Sequence, residues 1–347
     1  MKRFISLLLS LLILISISAV SASAGLVENR TYYYKDFSYH YITSNQIGID
    51  SYSGTASKVT IPSEIDGHKV TTIFGAEIDE GGAYGSFSHN KYIEEVIIPD
   101  TVTEIGMFCF ENCSNLKRVR FGKNVKELGM WTFSDCKKLK TINIPEAMTE
   151  FDSQAFAGTN ISKIHLTKNI KSADLLWLNL KAITVSKENK YFTAKDGVLY
   201  NKKKSSLVYF PSHKNIKKFK IPDKVQTIKD GAFTYSAKVK KIILPKNLKL
   251  IEKFAFYESA INSLKFTGNK KVELQKYALW ECKKLKSVTV PKNVIKIGKQ
   301  ALGFYTTNDE KNHKDIDHKI KNFTIKGKKN SAAHKYAKKY KFKFVAV

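Results

Sequence analysis

The sequence predicts an α/β repeat, a solenoid whose coils of about 23 residues stack a curved parallel β-sheet. Three observations predict it. Pro99, Gly122 and Pro145 lie 23 residues apart, and Pro222 and Pro245 repeat that interval. An Ala-Phe-like pair returns in each copy, as Cys109-Phe110, Thr132-Phe133, Ala155-Phe156, Ala232-Phe233, Ala255-Phe256, Ala278-Leu279 and Ala301-Leu302. Each copy then closes on apolar residues that alternate with polar ones, the period-two signature of a strand.

The chain begins with Lys2 and Arg3, an apolar run over 4–20, and small residues at Ala22-Ser23-Ala24. Such an order reads as a signal peptide over 1–24, cleaved before Gly25, so no membrane span is expected after cleavage. No Cys follows the run to take a lipid, and residues 341–347 carry neither a sorting motif nor a second apolar span. The expected location is secreted and extracellular, with loose cell-wall association as the alternative.

Removing Lys2 and Arg3 takes the formal net charge from +28 to +26. The excess runs along the whole chain and favours anionic partners. Export makes cell-wall polyanions, anionic glycans or acidic proteins better targets than nucleic acid, which is not expected.

Coils are expected over 61–185 and 219–325. After the Pro position comes one apolar residue (Val102, Val125, Met148, Val225, Leu248, Val294), then a second (Ile105, Leu128, Phe151, Ile228, Ile251, Leu274, Ile297). The closing strand follows, as in Leu116, Val119, Phe121 and Val239, Ile242, Leu244. Copies with Ile161 and Ile261 lack one residue in the turn before the strand, a place where deletion keeps the inward set inward. Each unit is expected to hold a strand, a turn and a short helical segment, and roughly nine coils would stack strands about 4.8 Å apart. The Phe of each copy forms the core. Asn124, Asn169, Asn247, Asn269 and Asn293 recur after the Pro position, where an amide side chain satisfies turn backbone.

Cys113, Cys136 and Cys282 share a register that holds Thr159, Ser236 and Ser259 in other copies. Buried free thiols are expected there, with a Cys113–Cys136 bridge between neighbouring coils as the alternative. One copy, over 166–185, has lost its Ala-Phe pair and reads Asp174-Leu175-Leu176-Trp177-Leu178, so the sheet is expected to bend or break there. The first copy, over 61–96, is stretched by Gly81-Gly82 and suits a capping repeat.

These units resemble the BspA-like leucine-rich repeats of secreted and surface bacterial proteins. The resemblance rests on Ile98-Pro99-Asp100-Thr101-Val102-Thr103-Glu104-Ile105-Gly106 and on Asp230-Gly231-Ala232-Phe233, and covers most of the chain after about Phe37. It implies an N-terminal hairpin cap over 25–60, marked by Tyr52-Ser53-Gly54. It also implies a β-hairpin insertion over 186–218, containing Asp196-Gly197-Val198-Leu199-Tyr200-Asn201. A strand-helix cap over 326–347 is implied by Ile325-Lys326-Gly327, Ser331-Ala332-Ala333 and Tyr336-Ala337. The function implied is adhesion to extracellular matrix, host glycoproteins or other cells.

In a solenoid the inward strand residues build the core, so binding falls to the outward ones. The candidate binding residues are Arg118, Arg120, Asn143, Lys163, His165, Lys241 and Lys265. Such a ladder suits charge-assisted hydrogen bonds to an anionic glycan or an acidic protein segment. A solvated basic face is the plainer alternative. The lysine clusters Lys137-Lys138, Lys283-Lys284, Lys202-Lys203-Lys204, and Lys335 with Lys338-Lys339, read as solubilising or wall-holding. Tyr191, Phe192, Tyr200, Tyr209 and Phe210 read as packing on the sheet in preference to a sugar platform.

No catalytic, metal or cofactor site is expected. Asp309, Glu310, His313, Asp315, Asp317 and His318 form the densest polar group, but without His-x-x-x-His spacing or a hydrophobic shell, so a solvated loop is expected. Neither a nucleophile elbow nor a phosphate-binding glycine loop is present. An exported, non-enzymatic binding protein is the reading, with a structural wall polycation held by teichoic-type polymers as the alternative. Oligomeric state is left open.

Overall fold

The computed structural model describes residues 30–75, 78–79, 82–83, 85–309 and 314–347. The signal-peptide segment, the cleavage site, Gly81, Glu310 and His313 lie outside the described residues.

Coils stack through two parallel ladders, one more than the sequence suggested. The first is the expected strand ladder. Lys58–Thr60, Glu95–Ile97 and Arg118–Arg120 pair in register, followed by Lys163–Leu166 with Ala182–Val185. Lys218–Lys220, Lys241–Ile243 and Ser263–Lys265 form the next group, and Ser287–Thr289, Thr324–Gly327 and Lys343–Ala346 the last. Alternation along each strand puts Val96, Val119, Ile164, Ile242 and Val288 inside. This is more layers than the nine expected.

The second ladder occupies the segment after the Pro position. Glu104–Ile105 pairs with Glu127–Leu128, and Glu150–Asp152 with Ser172–Asp174. Thr227–Ile228, Leu250–Ile251, Val272–Leu274 and Val294–Ile297 continue it. The helical segment expected in each coil is replaced by turns. Phe108 and Asn112 both have positive φ, as do Trp131 and Asp135, Phe254 and Glu258, and Tyr277 and Glu281. A right-handed helix cannot run through left-handed residues four apart, so the Ala-Phe segment arches between the ladders. Among the coils described, one 3-10 turn, Ser153–Phe156, survives, capped by Asp152 accepting from the Gln154 N–H.

The spine forms as expected. Ring centroids of Phe87, Phe110, Phe133 and Phe156 follow one another at 4.6, 5.0 and 5.4 Å, with neighbouring planes nearly parallel. Phe210, Phe233 and Phe256 repeat the stack at 4.9 and 4.8 Å. Asn124, Asn169, Asn247 and Asn293 each donate through Nδ2 to a turn carbonyl one coil earlier, at 2.8, 2.7, 2.9 and 2.6 Å, whereas the exposed Asn269 makes no such bond. Cys113, Cys136 and Cys282 are buried free thiols, so no bridge joins Cys113 to Cys136.

Regularity breaks where the Ala-Phe pair is missing. Leu175 and Leu178 fill the core in its place. A meander of Phe192–Lys195, Val198–Asn201 and Ser206–Tyr209 then enters, its last strand joining Thr227–Ile228 in the second ladder. Tyr200, Tyr209 and Phe210 are buried in it, as the packing reading requires, while Tyr191 is exposed.

Tyr32–Tyr34, Phe37–Thr43 and Gln46–Tyr52 form an antiparallel N-terminal sheet that runs into the second ladder through His68–Ile73. At the other end the helix Ala332–Tyr340 starts at Ser331, whose hydroxyl accepts from the His334 N–H, and ends at left-handed Lys341. Its Tyr336 hydroxyl bonds both the N–H and the carbonyl of Leu302 at 3.0 Å, seating the helix on the last coil. The polar stretch near 309 is a hairpin instead of a loop: Phe304–Asp309 pairs antiparallel with Lys314–Lys319. Cross-strand Thr307–His318 (2.7 Å) and Thr306–Asp317 (3.3 Å) bonds give those polar side chains a structural use.

Candidate functional site

The strand ladder places its outward side chains by register alone. In the group from Lys58 to Arg120, Lys58, Glu95 and Arg118 stand side by side, and so do Thr60, Ile97 and Arg120. Arg118 and Arg120 point outward as expected, but they do not stand free. Glu95 takes Arg118 Nη2 at 3.0 Å on one oxygen and Arg120 Nε at 2.6 Å on the other. The Glu95 side chain is only 8% exposed, against 60% and 66% for the arginines, so the pair clamps a carboxylate that water barely reaches. Hydrogen bonds from Arg120 first and Arg118 second hold its carboxyl below the usual range, against the opposing effect of desolvation. Much of the arginines' charge is already met within the fold.

Asn143 is exposed beside buried Ile142 and Ile144, yet 141–143 forms no strand pairing, so the ladder lapses there. Lys163 and His165 are outward on the next strand, and His165 Nδ1 lies 2.9 Å from Thr184 Oγ1 on its neighbour. Lys241 and Lys265 stand in the following group, separated from Lys163 by the irregular coil and meander. The seven candidates thus share one face but fall into separate groups.

Sequence reasoning missed Lys218 and Lys220. Lys218 is opposite Lys241, and Lys220 lies in the column of Ile243 and Lys265. Both are exposed around half-buried Phe219. Lys218 closes the expected insertion and Lys220 opens the expected coils after it, yet Lys218 precedes Lys241, and Lys220 precedes Ile243, by the repeat length of 23. Among the ion pairs of the described residues none involves Lys163, Lys218, Lys220, Lys241 or Lys265. The turn entering this group is basic as well. Burial foremost, with Lys284 and Lys238 nearby, pushes the Lys240 ammonium below its usual range. His213 is pushed down by burial and by Lys238 and Lys181.

The opposite ladder differs in character. Glu104 and Glu127 stand outward and in register there, whereas further along Glu273 stands in register with Lys296 and pairs with it at 3.6 Å. Among the described residues no group of three or more His, Cys, Asp or Glu is arranged to hold a metal ion, and no helix is long and apolar enough to cross a membrane.

The repeat geometry has a counterpart in known proteins: the family model of the BspA type leucine rich repeat region matches residues 83–195 and 206–328, in 6 copies. The chain belongs to the BspA-type leucine-rich repeat family. One solved structure shares the fold, and others are similar to a lesser degree. The pneumococcal vaccine antigen PcpA is 19% identical over 93% of this chain and 100% of that one, with a TM-score of 0.57. A leucine-rich repeat protein of Eubacterium ventriosum is 20% identical, covering 77% and 92% of the two chains, with a TM-score of 0.49. A leucine-rich cell surface protein of Faecalibacterium prausnitzii is 20% identical, covering 82% and 97%, with a TM-score of 0.44. No curated protein matches the chain in sequence. As a BspA-type repeat, the molecule offers its outward strand positions as its most regular surface, because every inward position is used by the core.

Proposed function

We propose that this leucine-rich repeat protein is exported and works by binding, without catalysis, an extracellular protein or anionic glycan on the outward face of its strand ladder. The observation that carries this reading is the face itself. Lys163, Lys218, Lys220, Lys241 and Lys265 present ammonium groups from paired strands at fixed spacing, with no ion-pair partner among the described residues. A rigid ladder preorganises such donors, so little order is lost on binding. PcpA is a vaccine antigen and the F. prausnitzii relative a cell surface protein, which supports display outside the cell.

An array of matrix proteins and glycans, probed with the parent chain and with a variant in which Lys163, Lys218, Lys220, Lys241 and Lys265 are replaced by Gln, tests this reading. Loss of the bound partners in the variant supports it. Undiminished binding, with the variant folded, overturns the strand face as the site.

A further inference from the structure

Resting on that reading, we infer that the C-terminal half of the strand face is a track for one linear polyanion, running along the stack, and that the N-terminal arginines take little part. The strands from Lys218–Lys220 to Ser263–Lys265 lie beside Ser287–Thr289, which pairs on through Thr324–Gly327 to Lys343–Ala346. Across these successive layers the outward columns hold Lys218, Lys220, Lys241, Lys265, Lys326 and Lys343. The remaining outward positions are Ser263, Ser287, Thr289, Thr324, Ile243 and Val345, and no carboxylate stands among them.

Two features choose the ligand class. Lys218 faces Lys241 across adjacent strands, about 4.8 Å apart by sheet geometry, an arrangement that destabilises the free protein. A repeating anion laid along the stack meets each ammonium in turn and relieves that repulsion. The face also lacks what a folded protein partner needs, a buried aromatic or aliphatic anchor ringed by polar groups. Its few apolar outward residues, Ile243 and Val345, are isolated and half-buried. Sulfate esters of a glycan and phosphodiesters of a wall polymer share the required chemistry.

The arginine group differs because its countercharge is built in. A polyanion there must displace the buried Glu95 carboxylate or share its guanidiniums, and lies against like charge either way.

The test titrates the purified chain with a heparin oligosaccharide, a poly(glycerol phosphate) and a polyglutamate peptide across a salt series. Lys218, Lys220, Lys241 and Lys265 are replaced together by Gln in one variant, and Arg118 and Arg120 in another, each checked for parental thermal unfolding. The lysine variant should bind the heparin oligosaccharide at least roughly tenfold more weakly at physiological salt and with a shallower salt dependence, as fewer counterions are released. The arginine variant should change by less than about twofold. Tighter binding of heparin than of poly(glycerol phosphate) identifies a sulfated glycan as the source, and the reverse a wall polymer. Parental heparin affinity in the lysine variant, or an equal loss in the arginine variant, overturns the track. Preference for polyglutamate over both other probes overturns it in favour of an acidic protein. If array partners depend on the strand face while heparin ignores the four lysines, this inference falls and the proposed function stands. If neither heparin nor any array partner depends on the face, both fall.

Discussion

Arg120 Nε donates to Glu95 Oε1 at 2.6 Å from the neighbouring coil, so a carboxylate absent from the repeat pattern governs the charge of the most conspicuous basic residues on the strand face. Glu95→Gln should release Arg118 and Arg120 and raise heparin affinity, measured by calorimetry at fixed ionic strength. It should also alter the pH dependence of stability. The folded Glu95 carboxyl is held below its unfolded value, so its contribution is complete above the ordinary Glu pKa of about 4.3 and is lost as pH falls through the lowered value. Thermal midpoints of parent and variant should therefore diverge near neutral pH and converge in acid. A constant gap across the series would argue against the fork.

Phe133 sits between Phe110 and Phe156, with centroids at 5.0 and 5.4 Å, and is fully buried. Phe133→Ala should cost about 3–5 kcal/mol in denaturant unfolding, through lost transfer energy and a cavity that stiff neighbours cannot fill. Phe256→Leu should cost far less, about 1.5 kcal/mol or below, because Leu279 already occupies that place one coil later.

Neighbouring coils approach closely at several glycines. A methyl group added at Gly129 would lie 2.4 Å from the backbone nitrogen of Met107. Gly129→Ala should therefore force the second ladder apart and lower the thermal midpoint by several degrees. An unchanged midpoint would mean that the coils are looser than drawn.

The buried thiols should resist labelling. Burial pushes Cys109 and Cys282 up to about 12, and the neighbouring Cys113 thiol together with burial pushes Cys136 up, so little thiolate exists near neutral pH. A disulfide reagent should react with none of them in the native protein and with all after denaturation. Cys136→Ser should be tolerated within about 1 kcal/mol, since Ser236 and Ser259 hold the same register. Rapid native labelling at Cys136 would contradict this packing.

The coil length, the Phe spine, the strand ladder, the thiol register and the Asn bonds other than that of Asn269 were legible, because each depends on a periodic residue choice. The second ladder was not. Residue pairs such as Glu104-Ile105 are too short to show alternation, and the left-handed backbone at Phe108 or Trp131 has no glycine to announce it. At the face, the alternation found Arg118, Lys163 and Lys241. It could not show that Glu95 turns outward, next to the arginines of the following coil, since that coil's spacing was stretched by the insertion near Gly82. Lys218 was lost because it falls at the end of the expected insertion, and Lys220 because it stands at the very start of the coils that follow, where the alternation has only just resumed. The hairpin Phe304–Lys319 was hidden by its polarity, both of its faces being largely exposed.

Lysine footprinting tests the claim of a working strand face most directly. The chain is acetylated lightly with and without saturating heparin oligosaccharide, and modification at each lysine is read by mass spectrometry. Protection concentrated at Lys218, Lys220, Lys241 and Lys265, with Lys202-Lys203-Lys204 and Lys338-Lys339 unaffected, is the predicted result. Protection confined to those hairpin and helix lysines, or spread evenly over the chain, would contradict it.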